Sequence, residues 1–184
     1  MNGKWKGSLV AALLLLVTLL AGCGGDNNEN TVTVFMMDKA GSPGSIGDTM
    51  QKSLQDKLGP DLKVEFNAMG IYNIQKLMVE YAAGMNDIMV LSKEDVLNYG
   101  KNGANLPLDK YFSAADYPEG VFEGGVEQAD SSDLKQEEHL YAIPVSKLKM
   151  FQDSGYAPEG LFVTVPVSTG NFEQSISAIK AMME

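Results

Sequence analysis

The chain has one cysteine, one histidine and no arginine among 184 residues, and each scarcity removes a class of chemistry. A lone cysteine cannot close an intramolecular disulfide, and it has no second thiolate with which to hold a metal. The lone histidine, His139, lacks the imidazole or thiolate partners that zinc requires. Without arginine there is no guanidinium fork for carboxylate or phosphate, so any bound anion must be met by lysine or backbone N–H groups. Positive charge is scarce as well: 14 lysines stand against 24 carboxylates, a formal net charge of −10. That balance argues against nucleic acid as a partner. Gly41, Gly44 and Gly47 match neither the Walker pattern nor the dinucleotide fingerprint, which argues against nucleotide binding. A Ser-His-Asp arrangement would have to use His139, and no Gly-x-Ser-x-Gly elbow is present. Residues 130–133 offer oxygens but lack the spacing, glycine and terminal glutamate of a calcium loop. The composition therefore reads as a protein that is not an enzyme and carries neither metal nor cofactor, with His139 as a solvated loop residue.

What the chain does have begins at its start. Lys4 and Lys6 precede an apolar run over residues 9–21, followed by small residues, the order of a secretory signal. The run is short for a membrane span, which needs about 20 residues. It closes on Leu20-Ala21-Gly22-Cys23, which resembles the lipobox of bacterial lipoproteins. The resemblance implies that residues 1–22 are a signal peptide cut before Cys23, and that Cys23 is acylated on sulfur. An ordinary cleavage site near a cysteine and an uncleaved anchor are the alternatives. Each buried methylene contributes roughly 0.8 kcal/mol and stable anchoring needs more than one chain, a condition met by two or three palmitate-like chains on Cys23. The expected partner is a lipid bilayer, at the extracytoplasmic face of the cell membrane. Residues 24–30, GGDNNEN, contain no apolar side chain and complete a lipidated tether spanning 23–30.

Loss of the signal leaves 162 residues, enough for one domain and few for two. Both signal lysines leave with it, so 12 lysines face 24 carboxylates for a formal charge of −12. With Cys23 committed to lipid, the domain at 31–184 must hold by packing alone.

Along that domain, residues 31–37, TVTVFMM, are apolar or β-branched throughout, as for a strand buried on both faces. Ile46, Met50, Leu54 and Leu58 follow at helical spacing and Gly59-Pro60 ends the helix. Leu62, Val64, Phe66 and Ala68 alternate as a second strand. Asn73 opens a helix expected to bury Ile74, Leu77, Met78, Tyr81 and Ala82, with Gly84 as its cap. Residues 87–91, DIMVL, read as a third strand, and Ser92 with Asp95 resembles a capping box. Residues 113–138 read as a surface excursion with one short helix around 119–128. Strands return at 140–145 and 161–167, and Asn171 with Gln174 opens a last helix carrying Phe172, Ile176, Ile179 and Met183. Strands alternating with helices predict an α/β fold, a three-layer sandwich on a mostly parallel sheet.

The run from Gly84 to Phe112, with Asp-Ile opening a strand and Gly103 preceding Leu106-Pro107-Leu108-Asp109, resembles extracellular solute-binding lipoproteins that serve ABC importers. The segments LYAIPV and LFVTVPVSTGNFEQSISAIKAMM are similar to those by which such proteins leave and re-enter their first lobe. The resemblance implies one lobe of a periplasmic-binding-like fold, non-covalent solute binding and an ABC permease or other membrane protein as partner. Only fifteen residues, 146–160, stand where a second lobe of at least about 50 residues would be expected. Capture by closure of two lobes therefore does not carry over. A protein-interaction or regulatory lipoprotein, or a fragment of a two-lobed binding protein, are the alternatives.

In open α/β sheets ligands sit outside the carboxyl ends of strands. That edge comprises residues 38–45, 69–73 and 91–93. In the first loop Lys39, Ser42 and Ser45 can join backbone N–H groups in meeting an anion, although the loop also reads as a turn that merely reverses the chain. Tyr72 can offer a flat face to a sugar or peptide, beside Asn73, or can pack over the sheet edge.

Overall fold

A computed structural model describes residues 30–128 and 131–184, so the signal, Cys23 and most of the tether lie outside the described residues. The apolar run Thr31–Met37 forms β1, and α1 (Ile46–Leu58) carries the chain to β2 (Lys63–Met69). Then follow α2 (Ile74–Ala83), β3 (Ile88–Ser92) and α3 (Lys93–Lys101). A hairpin of β4 (Val121–Gln128) and β5 (Ser131–Leu140) precedes β6 (Ala142–Pro144), α4 (Lys149–Asp153), β7 (Leu161–Thr164) and α5 (Phe172–Met183). The main sheet has the order β2-β1-β3-β7-β6, with β1 parallel to both β2 and β3. β7 runs antiparallel to β3 and β6, so four of the five strands point the same way. The α/β, mostly parallel three-layer expectation is borne out.

The pleat divides the buried side chains between two faces. Val32, Val34, Met36, Ile88, Val90, Leu161 and Val163 pack with Met50 and Leu54 of α1, Met150 and Phe151 of α4, and Ile176, Ile179 and Met182 of α5. Phe35, Met37, Met89, Leu91 and Phe162 face the other way, against Leu77 of α2 and Val96 of α3. Each such side chain contributes about 1.5–3 kcal/mol when fully buried.

The second face departs from the sequence expectation. Of the five α2 residues expected inside, only Leu77 is buried and Tyr81 is half-buried, whereas Ile74 and Met78 are 42% and 59% exposed and Ala82 is exposed too. Helical periodicity identifies an apolar stripe but not what meets it. Here the sheet takes only one margin of the stripe.

Residues 113–138 also differ from expectation. A 3₁₀ turn at Pro118–Gly120 leads into a two-stranded hairpin rather than a helix. The hairpin packs on α3 and Tyr141 through its glycines: a Cβ on Gly124 would lie 2.6 Å from the Tyr141 ring, and one on Gly125 3.0 Å from the Lys101 carbonyl oxygen, while in the turn before it a Cβ on Gly120 would come within 1.7 Å of the Ala142 carbonyl oxygen. His139 sits on β5, not in a loop, with Nδ1 3.2 Å from Asp109 and Nε2 3.2 Å from Glu137. The acidic cluster at 130–133 falls partly outside the described residues. Asn171 precedes α5 without a side-chain cap bond; its amide donates instead to the Thr31 carbonyl at 3.2 Å, tying α5 to the start of β1.

Candidate functional site

Strand register brings the expected loops together. Met37 pairs with both Met69 and Leu91, so β1, β2 and β3 end level, and the pairing of Pro144 with Phe162 brings in the end of β6 beside the beginning of β7. Two clusters occupy this carboxyl edge.

The first is polar and internally paired. Ser92 caps α3 by accepting from the Asp95 N–H at 3.3 Å, and its hydroxyl donates to Asp95 Oδ2 at 2.7 Å. The other Asp95 oxygen accepts from the Tyr72 hydroxyl at 3.1 Å. Lys39 Nζ lies 2.7 Å from Glu94 and 3.6 Å from Asp95, and 5.4 Å from the Tyr72 ring centroid. The Glu94 hydrogen bond raises the Lys39 pKa, and burial followed by the Asp95 charge raises that of the Tyr72 phenol. Lys39 therefore holds its proton, and Tyr72 stays a neutral donor to Asp95.

Of the five candidates at this edge, Lys39 and Tyr72 are thus brought together, both committed to Asp95. Ser42 donates to the Met69 carbonyl at 2.8 Å, binding one loop to the next. Asn73 caps α2, accepting from the Lys76 N–H at 3.0 Å. Ser45 is exposed at the start of α1, and its carbonyl accepts from the Thr49 hydroxyl at 3.0 Å. Gly41 holds φ at 82°, and a Cβ there would reach within 3.0 Å of the Gly70 carbonyl oxygen, so glycine permits this close approach of loops.

Tyr156 joins the edge from the segment 146–160. Its hydroxyl donates to Asp38 Oδ2 at 2.7 Å and lies 3.2 Å from the Gly41 carbonyl oxygen. Burial and the Asp38 carboxylate raise its pKa, keeping the phenol protonated. The only sequence signal for this contact is a single aromatic within a short connection.

The second cluster is open and unpaired. Lys93, Glu119, Ser146, Lys147, Glu159 and Phe162 line a recess of about 410 Å³. Among the described residues, the side chains of Lys147, Glu119 and Glu159 make no ion pair or hydrogen bond, and Lys93 only stands 5.6 Å from the Phe162 ring centroid. Cationic donors and anionic acceptors stand here around one cavity, an arrangement suited to a solute that carries both kinds of polar group. Sequence reading placed Lys93 at the edge and missed the rest, because the recess draws on four separate segments of chain.

Away from this edge, a larger cavity of about 590 Å³ lies between α2 and α3, bounded by Ile74, Met78, Tyr81, Tyr99 and Val167. Tyr81 and Tyr99 stack at 3.9 Å between centroids, and the Tyr81 hydroxyl donates to Asn105 at 3.1 Å. Among the described residues no group of three or more His, Cys, Asp or Glu side chains could hold a metal ion. Among them, too, no helix is long and apolar enough to cross a membrane.

No protein-family model matches the chain, and no curated protein sequence matches it. Among solved structures it is similar to an extracellular solute-binding protein of family 1 from Alicyclobacillus acidocaldarius, at 23% identity and a TM-score of 0.44 over 68% of this chain and 32% of that one. It is also similar to CpMnBP1 with mannotriose bound, at 17% identity and a TM-score of 0.38 over 68% of this chain and 33% of that one. The chain therefore spans about a third of the length of the structures it matches.

Proposed function

We propose that this protein is an extracytoplasmic lipoprotein, anchored through acylated Cys23, that binds a small polar solute non-covalently at the carboxyl edge of its sheet and hands it to a membrane partner such as an ABC permease. The observation that carries the reading is the recess of unpaired Lys93, Lys147, Glu119 and Glu159 beside a network in which Lys39, Tyr72 and Asp95 are already satisfied. Solvent-facing charges gathered around a concave site are available to a ligand without first breaking internal bonds. The paired network ties the loops after β1 and β2 to the start of α3, the element that carries Lys93 to the recess. The signal order and the Leu-Ala-Gly-Cys box support the anchored location.

Two measurements test the two halves. Intact mass of the protein purified from membranes is expected to show cleavage before Cys23 and a diacylglyceryl addition. Thermal unfolding of that protein against sugars, amino acids, short peptides and metal ions is expected to show stabilisation by one polar class. Failure across the whole panel removes the solute-binding half alone.

A further inference from the structure

The α2 stripe has a length and a position that point to an occupant. On α2, Ile74, Met78 and Ala82 recur at four-residue spacing and are exposed, and the chain adds Ile71 just before the helix and Met85 just after it; Ile71, Met78 and Met85 are 81%, 59% and 70% exposed. Val167 continues the apolar surface beyond the helix at 50% exposure. The groove between α2 and α3 has no charged residue in its lining, on a chain with 24 carboxylates. The charged neighbours on α2, Lys76 and Glu80, form an ion pair with each other.

The end of this stripe lies where the tether enters the fold. The Thr33 carbonyl accepts from the Asp87 N–H at 2.8 Å, two residues past Met85. Thr169, two residues past Val167, donates to the Asp87 carboxylate at 2.8 Å, and Asn171 reaches the Thr31 carbonyl. Cys23 precedes Thr31 by eight residues, a reach of at most about 29 Å. A helix of ten residues is about 15 Å long, so the α2 part of the stripe, from Ile74 to Ala82, lies within the radius that a Cys23 anchor allows.

We infer that the apolar groove and outer face of α2 rest on the bilayer that holds Cys23, with α2 lying in the interface as an amphipathic helix does. This rests on the lipoprotein reading given above. Charge favours a lipid surface over a second copy of the chain, because two bodies of formal charge −12 repel whereas neutral headgroups do not. It also fixes the character of the contact: docking is apolar, prefers zwitterionic over anionic lipid, and survives added salt. The recess at the carboxyl edge shares no lining residue with this groove and stays open to solute.

The test uses the mature lipoprotein in phosphatidylcholine vesicles, with Met78→Cys or Met85→Cys carrying an environment-sensitive fluorophore and Lys57→Cys on α1 as the comparison. Acylation blocks Cys23, so the label goes to the introduced thiol. Docking predicts a several-fold loss of emission from the label at Met78→Cys or Met85→Cys when the vesicles carry nitroxide-labelled lipid, and little loss at Lys57→Cys. Equal quenching on both helices, with the diacylglyceryl mass present, overturns the docking and leaves anchoring intact. An α2 label shielded from aqueous quencher yet untouched by nitroxide lipid assigns the groove to a second copy or another protein and also overturns it. Absence of the diacylglyceryl mass removes the anchor and the docking with it.

Discussion

The two faces of the main sheet are built from the same kinds of residue but finished differently. On one face α1, α4 and α5 close over the β-strands, and Met50, Leu54, Ile179 and Met182 are fully buried. On the other, α2 buries Leu77 and leaves Ile74, Met78 and Val79 between 42% and 59% exposed, while α3 is fastened by the polar bonds of Ser92 and Asp95. The first face is complete as a protein core. The second has apolar surface left over, concentrated on α2 and at its two ends, and gathered exposure of this kind marks an interaction surface. An amphipathic pattern in sequence thus reports that a helix has an interface, while the identity of the other side is decided by the rest of the fold.

Core truncation separates the faces most sharply. Leu54→Ala leaves a cavity under α1 and is expected to cost about 2–5 kcal/mol. Met78→Ala removes a solvent-facing side chain and is expected to stay within about 0.5 kcal/mol. Denaturant melts of the two variants check the contrast, and equal losses would mean that α2 is buried in solution. Asp95→Ala probes the polar fastening of the second face. It strips partners from the Tyr72 and Ser92 hydroxyls and from Lys39, with an expected loss of about 1–3 kcal/mol. Asp95→Asn, which keeps hydrogen-bonding capacity, should recover part of it.

The smallest effect concerns the hairpin that shares the second face. Lys135, then His139, hold the Glu137 carboxyl below its usual range. A depressed carboxylate contributes stability above its unfolded pKa and loses it as pH falls through the folded value. Carboxyl titration by NMR should therefore show Glu137 ionising below the ordinary glutamate range, and Lys135→Met should move it upward, with little change in the melting of the main sheet.

Much of the first half of the fold was legible because its periods are strict. TVTVFMM, the Ile46 to Leu58 spacing and the alternation through Val64 and Phe66 each admit one element, and Asn73, Gly84 and Ser92 with Asp95 mark helix ends that the structure places at the same residues. The hairpin was hidden because Gly124, Gly125 and a run of Glu and Gln carry little strand signal; its glycines answer to the Tyr141 ring and the Lys101 carbonyl, contacts that only the folded chain creates. The candidate site was legible in the same measure. Lys39 and Tyr72 follow strand ends and meet there, but their partner Asp95 belongs to a helix cap. Lys147, Glu119 and Glu159 come from connections without periodicity, and so nothing in the linear pattern joined them.

The most direct measurement of solute binding at the carboxyl edge is thermal unfolding of the mature lipoprotein beside its Lys93→Met and Lys147→Met variants, each titrated with the same panel of polar solutes. A ligand held at one hundred times its Kd adds about 2.7 kcal/mol, a rise of roughly 5–10 °C for a domain of this size. The predicted result is such a rise in the parent protein with one class of solute, reduced by either substitution while unliganded melting stays unchanged. No rise with any solute, or a rise that both variants retain in full, would contradict binding at this recess.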